Sequence, residues 1–246
     1  MISSDFLFFV EPQNITNGFA TIDGQEASHI TQVLRHKSGD RIYFTNGKGE
    51  LFSGILQQVN KKNCTLQIEE KEEGWDKKEQ VKYPVLCVGL IKKRQRLEFM
   101  IEKLIEIGIS KLYLFQADRS ERNRTNTNRL ESIAVSAMKQ SKRTVLPDIK
   151  VVNSLSVVIE EMDSEKDRLV LFDQLADQSG SDFLKKETHQ LKKWWAVVGP
   201  EGGLTDKETN LCHNFDKNIA TIHIGNARLR AETAAIVAAT YLQKGE

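Results

Sequence analysis

Residues 196–208 read AVVGPEGGLTDKE: an apolar run, Trp194 to Val198, stops at Gly199-Pro200-Glu201-Gly202-Gly203, and a helix start follows at once. Glycines let a ligand approach bare backbone, and the free N–H groups of a helix start favour a polar or anionic group. Thr205 and Glu208 have the spacing of a capping box, which predicts a helix beginning directly after the glycines. Taken alone, the pentapeptide reads equally well as a tight turn with left-handed glycines. A second loop, IGNARLRAETAAI at 224–236, places Gly225 after a strand, then Arg230 and Glu232 at the start of a small-residue helix. Two such loops, each leaving a parallel strand, can form opposite walls of one pocket. The plain structural reading of Arg230 and Glu232 is an ion pair at a helix start.

The elements that must carry these loops follow from periodicity. Apolar or β-branched runs at 6–10, 41–45, 51–59 and 64–68 predict a β-rich N-terminal region, with a turn at Asn46-Gly47-Lys48-Gly49 and a short helix over 29–35. The tract EEKEEGWDKKEQ, 69–80, is read as the domain boundary, dividing the chain into 1–72 and 73–246. Beyond it strands at 85–91, 111–117, 149–152, 169–172, 194–198 and 220–224 alternate with helices at 96–107, 127–142, 154–162, 182–193, from Thr205, and at 231–243. Repeated βα units imply an α/β fold with a mostly parallel sheet covered on both faces.

Several function classes are disfavoured. The first βα turn, Gly89-Leu90-Ile91-Lys92-Lys93, lacks the second glycine of a dinucleotide fingerprint, and no P-loop pattern occurs. Cys64, Cys87 and Cys212 have neither disulfide-framework nor zinc spacing, and no residue set argues for a metal. The apolar stretch 6–10 is too short for a signal peptide, so a cytoplasmic location without membrane contact is expected. The chain carries a formal charge of +1, yet residues 90–143 hold 13 Lys and Arg against 6 Asp and Glu, which suggests a basic face for a polyanion.

Together VGPEGGLT and IGNARLRAETA resemble the paired C-terminal motifs of the RsmE family, the 16S rRNA uridine-N3 methyltransferases of the SPOUT superfamily. HITQVLRHKSGD (29–40), RLEFMIEKLIEIGI (96–109), DRSERN (118–123) and AMKQSKRTVLPDI (137–149) are similar to further family segments in family order. Two places depart from the pattern. Arg228 is followed directly by Leu229-Arg230, where the usual motif has Ile or Val between Arg and Leu-Arg, and Lys92-Lys93-Arg94-Gln95 replaces a Lys-Gly-Asp-Arg-like turn.

The resemblance implies a PUA-like, RNA-binding β-barrel over 1–72. It also implies a SPOUT α/β domain over 73–246, whose C-terminal segment forms a trefoil knot that holds S-adenosyl-L-methionine. Two chains are expected to pair as a homodimer acting on the small ribosomal subunit. On that reading Leu171, Gly199, Pro200, Glu201, Gly202, Gly203, Ile224, Gly225 and Leu229 line the cofactor pocket. Arg230 steadies the anion formed when the uridine imide loses its proton, and Glu232 or Glu201 accepts that proton. A paired base must also be unstacked, and phosphate contacts must supply the cost. Arg35, Arg94, Arg96, Arg119, Arg122, Arg124, Lys142 and Arg143 are the RNA-contact candidates, with Lys92, Lys93 and His29 beside them; a solvated surface is the alternative for about half of them. Trp194 and Trp195 could stack a base but read more readily as packing, and Asp173 reads equally as a ligand-side residue and a loop cap. Two other readings stay open: a SPOUT enzyme acting on a tRNA or another rRNA base, and a non-catalytic RNA-binding assembly factor.

Overall fold

The computed structural model describes residues 6–76, 83–121, 125–186, 193–215 and 219–243. The chain forms two compact units, Met1–Gln80 with Val135–Leu146, and Val81–Ala134 with Pro147–Glu246.

The first unit is built on a six-stranded sheet. Strands β1 (Leu7–Phe9), β2 (Ile15–Thr16), β3 (Phe19–Asp23), β4 (Arg41–Thr45), β5 (Glu50–Val59) and β6 (Asn63–Glu73) lie in the order β1-β4-β5-β6-β3-β2. All pairings are antiparallel except β1 with β4. Inward residues Phe8, Ile22, Phe44, Leu56 and Leu66 are fully buried, and Phe44 stacks on Phe52 at 5.0 Å. β5 slips register at Ser53/Gly54, where a Cβ on Gly54 would stand 2.8 Å from the Gln67 carbonyl oxygen; glycine permits the bulge that bends this long strand. The expected helix over 29–35 is a short helix α1 (Gly24–Ser28) running into a π-turn, His29–Val33. Strands β2 and β3 were not expected, and β6 continues through Glu73 into the tract read as the domain boundary.

Residues 135–146 complete this unit. The Asp76 carboxylate, fully buried, accepts hydrogen bonds from Arg143 Nε (3.3 Å), from the backbone N–H of Thr144 (2.9 Å) and of Val145 (3.0 Å), and from the Thr144 hydroxyl. A Cβ on Gly74 would overlap Thr144 Oγ1 at 1.7 Å, so only glycine admits this closure. Arg143, expected to touch RNA, is 1% exposed and ion-paired inside the unit. That expectation is corrected: a guanidinium used to neutralise a buried carboxylate cannot reach a phosphate.

The second unit is a seven-stranded parallel sheet. To β7 (Val85–Gly89), β8 (Lys111–Phe115) and β9 (Asp148–Val152) are added β10 (Asp167–Phe172), β11 (Gln178–Ser179), β12 (Lys193–Val198) and β13 (Ala220–His223), in the order β11-β13-β10-β12-β7-β8-β9. Among the described residues the helices that follow are α2 (Arg94–Ile107), α3 (Thr127–Gln140), α4 (Leu155–Glu160), α5 (Gly180–Lys186), α6 (Asp206–Phe215) and α7 (Ala231–Leu242). The C-terminal half of α3 belongs to the first unit. The helix expected over 182–193 corresponds to α5; residues 187–192 lie outside the described residues.

The central strands are buried on both faces, as their continuous apolar runs require. On one face Cys87, Tyr113, Leu171, Trp195 and Val197 pack with Val158 of α4 and Cys212 of α6. The other carries α7, which packs on α2, β7 and β12; its alanines at 235, 238 and 239 are fully buried and let the helix approach closely. α2 ends where expected, at Gly108 with φ 113°. Trp195 stacks on Tyr113 at 5.6 Å and Trp194 meets Phe183 edge-on at 5.6 Å, so both tryptophans are core. Among the described residues, no helix is long and apolar enough to cross a membrane.

Candidate functional site

Parallel strands point their C-terminal ends at one rim, and ligands of such sheets bind there. At that rim the segments after β10 (171–175), β12 (198–204) and β13 (222–231) surround a cleft of about 800 Å³. That volume lies within the range of pockets that take drug-sized ligands.

Apolar side chains, Leu171, Phe172, Val198, Leu204 and Ile222, line the cleft together with the glycine-bearing 199–203 turn. A Cβ on Gly89, at the end of β7, would stand 2.5 Å from Pro200 Cδ and 2.7 Å from Pro200 N, so the glycine lets the 199–203 turn fold tightly over the neighbouring strand. Gly203 at φ 73° and Gly225 at φ 88° hold left-handed conformations that shape the two loops. The capping box forms: the N–H of Thr205 donates to Glu208 Oε2 at 2.8 Å, and the N–H of Glu208 reaches Thr205 Oγ1 at 3.4 Å. Glu208 is buried because its other oxygen accepts from the Asp118 N–H at 3.0 Å, which ties the 117–121 loop to the start of α6. From that loop Arg119 Nη1 donates to the carbonyls of Leu204 (3.0 Å) and Gly202 (3.4 Å). The Glu201 carboxylate accepts the Lys92 N–H at 3.2 and 3.3 Å, while the Lys92 ammonium pairs with Glu121 at 2.5 Å, and that partner pushes its pKa up.

Arg230 is the N-cap of α7, exposed at the rim, with no side-chain cap bond. Two residues further on, Glu232 is 6% exposed. Its Oε1 faces Arg96 Nε at 3.5 Å, and its Oε2 is buried with no hydrogen-bond partner among the described residues. Glu232 is not itself among the lining residues, although Arg230, Ala231 and Ala234 are.

All nine residues expected at a cofactor pocket, Leu171, Gly199, Pro200, Glu201, Gly202, Gly203, Ile224, Gly225 and Leu229, are brought around this one cleft. Of the RNA-contact set, Arg119 lines the same cleft, Arg94 is exposed beside Glu98 (3.5 Å), and Arg96 is the partner of Glu232. Arg122 and Arg124 lie outside the described residues. In the first unit Arg35 is exposed in a left-handed conformation, Lys142 is half-buried with its carbonyl accepting Trp75 Nε1 at 3.1 Å, and His29 sits against the edges of Phe6 and Phe8. The sequence reading did not single out Arg228, Gln174 and Leu175 as lining residues. Arg228 could have been found from its place two residues before Arg230; Leu175, 89% exposed, carries no sequence signal. Asp173 satisfies both its readings, lining the cleft and capping its loop by accepting the Leu175 N–H at 2.9 Å. Among the described residues no cluster of His, Cys, Asp or Glu could hold a metal ion.

Residues 77–243 match the family described as "RNA methyltransferase domain", and residues 22–69 match "RNA methyltransferase PUA domain". The ribosomal RNA small subunit methyltransferase E of Bacillus subtilis is 28% identical, covering 89% of this chain and 87% of its own. That of Mycobacterium bovis is 26% identical over 94% and 88% of the two chains. A solved structure from Porphyromonas gingivalis, titled a "probable rRNA-methyltransferase", superposes with a TM-score of 0.81 at 29% identity, covering 97% of this chain and 98% of that one. A Neisseria gonorrhoeae ribosomal RNA small subunit methyltransferase E, solved with S-adenosyl methionine, superposes with a TM-score of 0.79 at 21% identity over 98% and 97%. Of the expected fold class, a PUA-like β-barrel followed by a SPOUT α/β domain with a trefoil knot, the PUA domain and the parallel α/β methyltransferase domain are observed.

Proposed function

We propose a specific reaction for this chain, which belongs to the RNA methyltransferase family: transfer of a methyl group from S-adenosyl-L-methionine to N3 of one uridine in the 16S rRNA of the small ribosomal subunit. The observation that carries the reading is the convergence of three rim segments, two of them glycine-bearing, on one cleft with Arg230 at its rim, in a chain similar along most of its length to small-subunit rRNA methyltransferases. The residues present fit the donor. The cleft is lined by apolar side chains, Leu171, Phe172, Leu204 and Ile222 among them, together with the glycine turn 199–203 that lets a ligand approach backbone, and its volume suits a ligand of that size. The donor supplies an already electrophilic methyl group. The protein must therefore position the uridine, stabilise negative charge on its carbonyl oxygens, and take its imide proton.

Arg230 is exposed at the cleft and has no ion-pair partner among the described residues, which suits it to the developing anion. Glu232 is the proton acceptor in this reading. A buried carboxylate oxygen without a donor costs about 1–3 kcal/mol, and a substrate N–H would supply the donor Oε2 lacks. Glu201, already held by the Lys92 N–H, instead fixes the glycine turn. Glu232→Gln is expected to abolish turnover while calorimetry finds S-adenosylmethionine affinity within twofold of wild type; undiminished turnover sinks the assignment.

The knot and the homodimer that the resemblance implies belong to the same reading. The chain leaving β13, beyond β10, returns across the sheet to seat α7 on β7 and β12, as a threaded C-terminus requires. Stretching the chain from both ends should leave it short of its full contour length. Light scattering should give twice the 28.0 kDa chain mass. A cytoplasmic location follows from a ribosomal substrate.

The deciding experiment is transfer of labelled methyl to purified small subunits lacking the modification, with the product nucleoside identified by mass spectrometry. N3-methyluridine at one site is expected. A different methylated nucleoside would keep the enzyme and move its target. Cofactor binding with no transfer to any subunit or free rRNA would favour the assembly-factor reading.

A further inference from the structure

The stretch joining β13 to α7 carries a second rim cation that the reaction proposed above does not use. From 228 to 230 the chain has no helical or strand pairing, and exposure alternates: Arg228 exposed, Leu229 half-buried, Arg230 exposed. Arg230 is extended (φ −73°, ψ 155°), and Arg228, Leu229 and Arg230 all line the cleft, so two guanidinium groups border it from one three-residue segment. Neither arginine has an ion-pair partner among the described residues. The other cleft guanidinium, Arg119, spends donors on backbone carbonyls. Of the acidic side chains lining the cleft, Glu201 is held by the Lys92 N–H and Asp173 by the Leu175 N–H, so neither answers the two rim charges.

Two adjacent unpaired cations are poorly suited to a methyl donor whose sulfonium is itself positive, and only one is needed over a uridine anion. They suit a nucleotide extruded into the cleft, which presents the base below and its flanking phosphate at the mouth. Resting on the methyltransferase reading, we propose that Arg228 is an RNA-positioning residue: it holds the backbone phosphate beside the target nucleotide, while Arg230 faces the base. Guanidinium is the apt group because it meets phosphate oxygens with two parallel N–H donors.

The test compares Arg228→Ala and Arg228→Lys with wild type in three measurements. These are S-adenosylmethionine affinity by calorimetry, KM and kcat for unmethylated small subunits, and the salt dependence of binding to free 16S rRNA. Arg228→Ala should raise KM for subunits about tenfold with kcat within about threefold. It should leave cofactor affinity unchanged and flatten the plot of log K against log salt by about 0.7 to 0.9, the share of one phosphate contact. Arg228→Lys should restore the salt slope but only part of the KM, since a lysine keeps the charge and loses the bidentate geometry. A parallel loss of S-adenosylmethionine affinity would overturn the proposal by placing Arg228 on the cofactor. An unchanged salt slope would overturn it as well. The rRNA-binding arm needs no turnover, so a wild-type protein that fails to methylate subunits defeats the proposed reaction and still leaves the salt slope to decide on Arg228.

Discussion

Arg143 and Arg119 are two arginines of similar sequence promise whose surroundings give them opposite roles. Arg143 neutralises Asp76 in a site where both side chains are at most 1% exposed. Removing one partner of such a pair strands the other charge and costs about 3–5 kcal/mol. Arg143→Met is therefore expected to lower the thermal midpoint by many degrees, while the salt dependence of rRNA binding by the folded protein stays at the wild-type slope. A slope reduced without loss of stability would return Arg143 to the RNA surface. Why the sequence misleads here is plain in the contact: Asp76 lies 67 positions away, and local pattern cannot report a partner at that distance. The capping box of Thr205 and Glu208 was legible for the opposite reason, since donor and acceptor lie within one helical turn. Even there the second bond of Glu208, to the N–H of Asp118, depends on a fold no short window reveals.

Elements read best where burial is uniform. The parallel strands β7, β10 and β12 were visible as unbroken apolar runs because both their faces are covered. β3 was missed because its outward Phe19 and its small inward Ala20 obscure the alternation, and the charged end of β6 was read as the domain boundary because residues 70–73 pair in the sheet while staying exposed. At the opposite end of the second sheet from the cleft, the Tyr113 hydroxyl donates to Glu161, which also meets Lys111 (3.1 Å) and Lys150 (3.0 Å). These contacts, the tyrosine first, hold the Glu161 carboxyl down at about 2 from an ordinary 4.5, against the opposing effect of burial. A folded-state value below the unfolded one means stability present above about pH 4.5 and lost as pH falls from 4.5 toward 2. Glu161→Gln should thus flatten the fall in thermal midpoint across that window and change little above pH 6. A variant whose midpoint tracks wild type down to pH 2 would refute the coupling. Lysines around Glu161 are partly exposed, so added salt should shrink the difference.

At the scale of the molecule, the cleft is made wholly of residues of the second unit, and the first unit is completed by a segment that arrives from within the second. A fragment ending at residue 80 would lack the Thr144 carbonyl that accepts the Gly49 N–H at 2.9 Å and the Arg143, Thr144 and Val145 donors that meet Asp76. It is expected to give no cooperative thermal transition, whereas a cooperative transition matching one in the full chain would show that residues 135–146 are dispensable to the unit. The fold class was legible from alternating patterns and motif order; this interleaving was not, because composition changes at the charged tract and gives no sign that the chain comes back.

The interleaving also sets a timetable. A ribosome making this protein releases β1 to β6 early, but the segment that caps Asp76 leaves the exit tunnel only after the first two strands of the second sheet, β7 and β8, have emerged. The N-terminal unit therefore waits, with a buried-to-be carboxylate still in water, until residue 146 is free. Its completion is tied to the synthesis of the very domain it precedes.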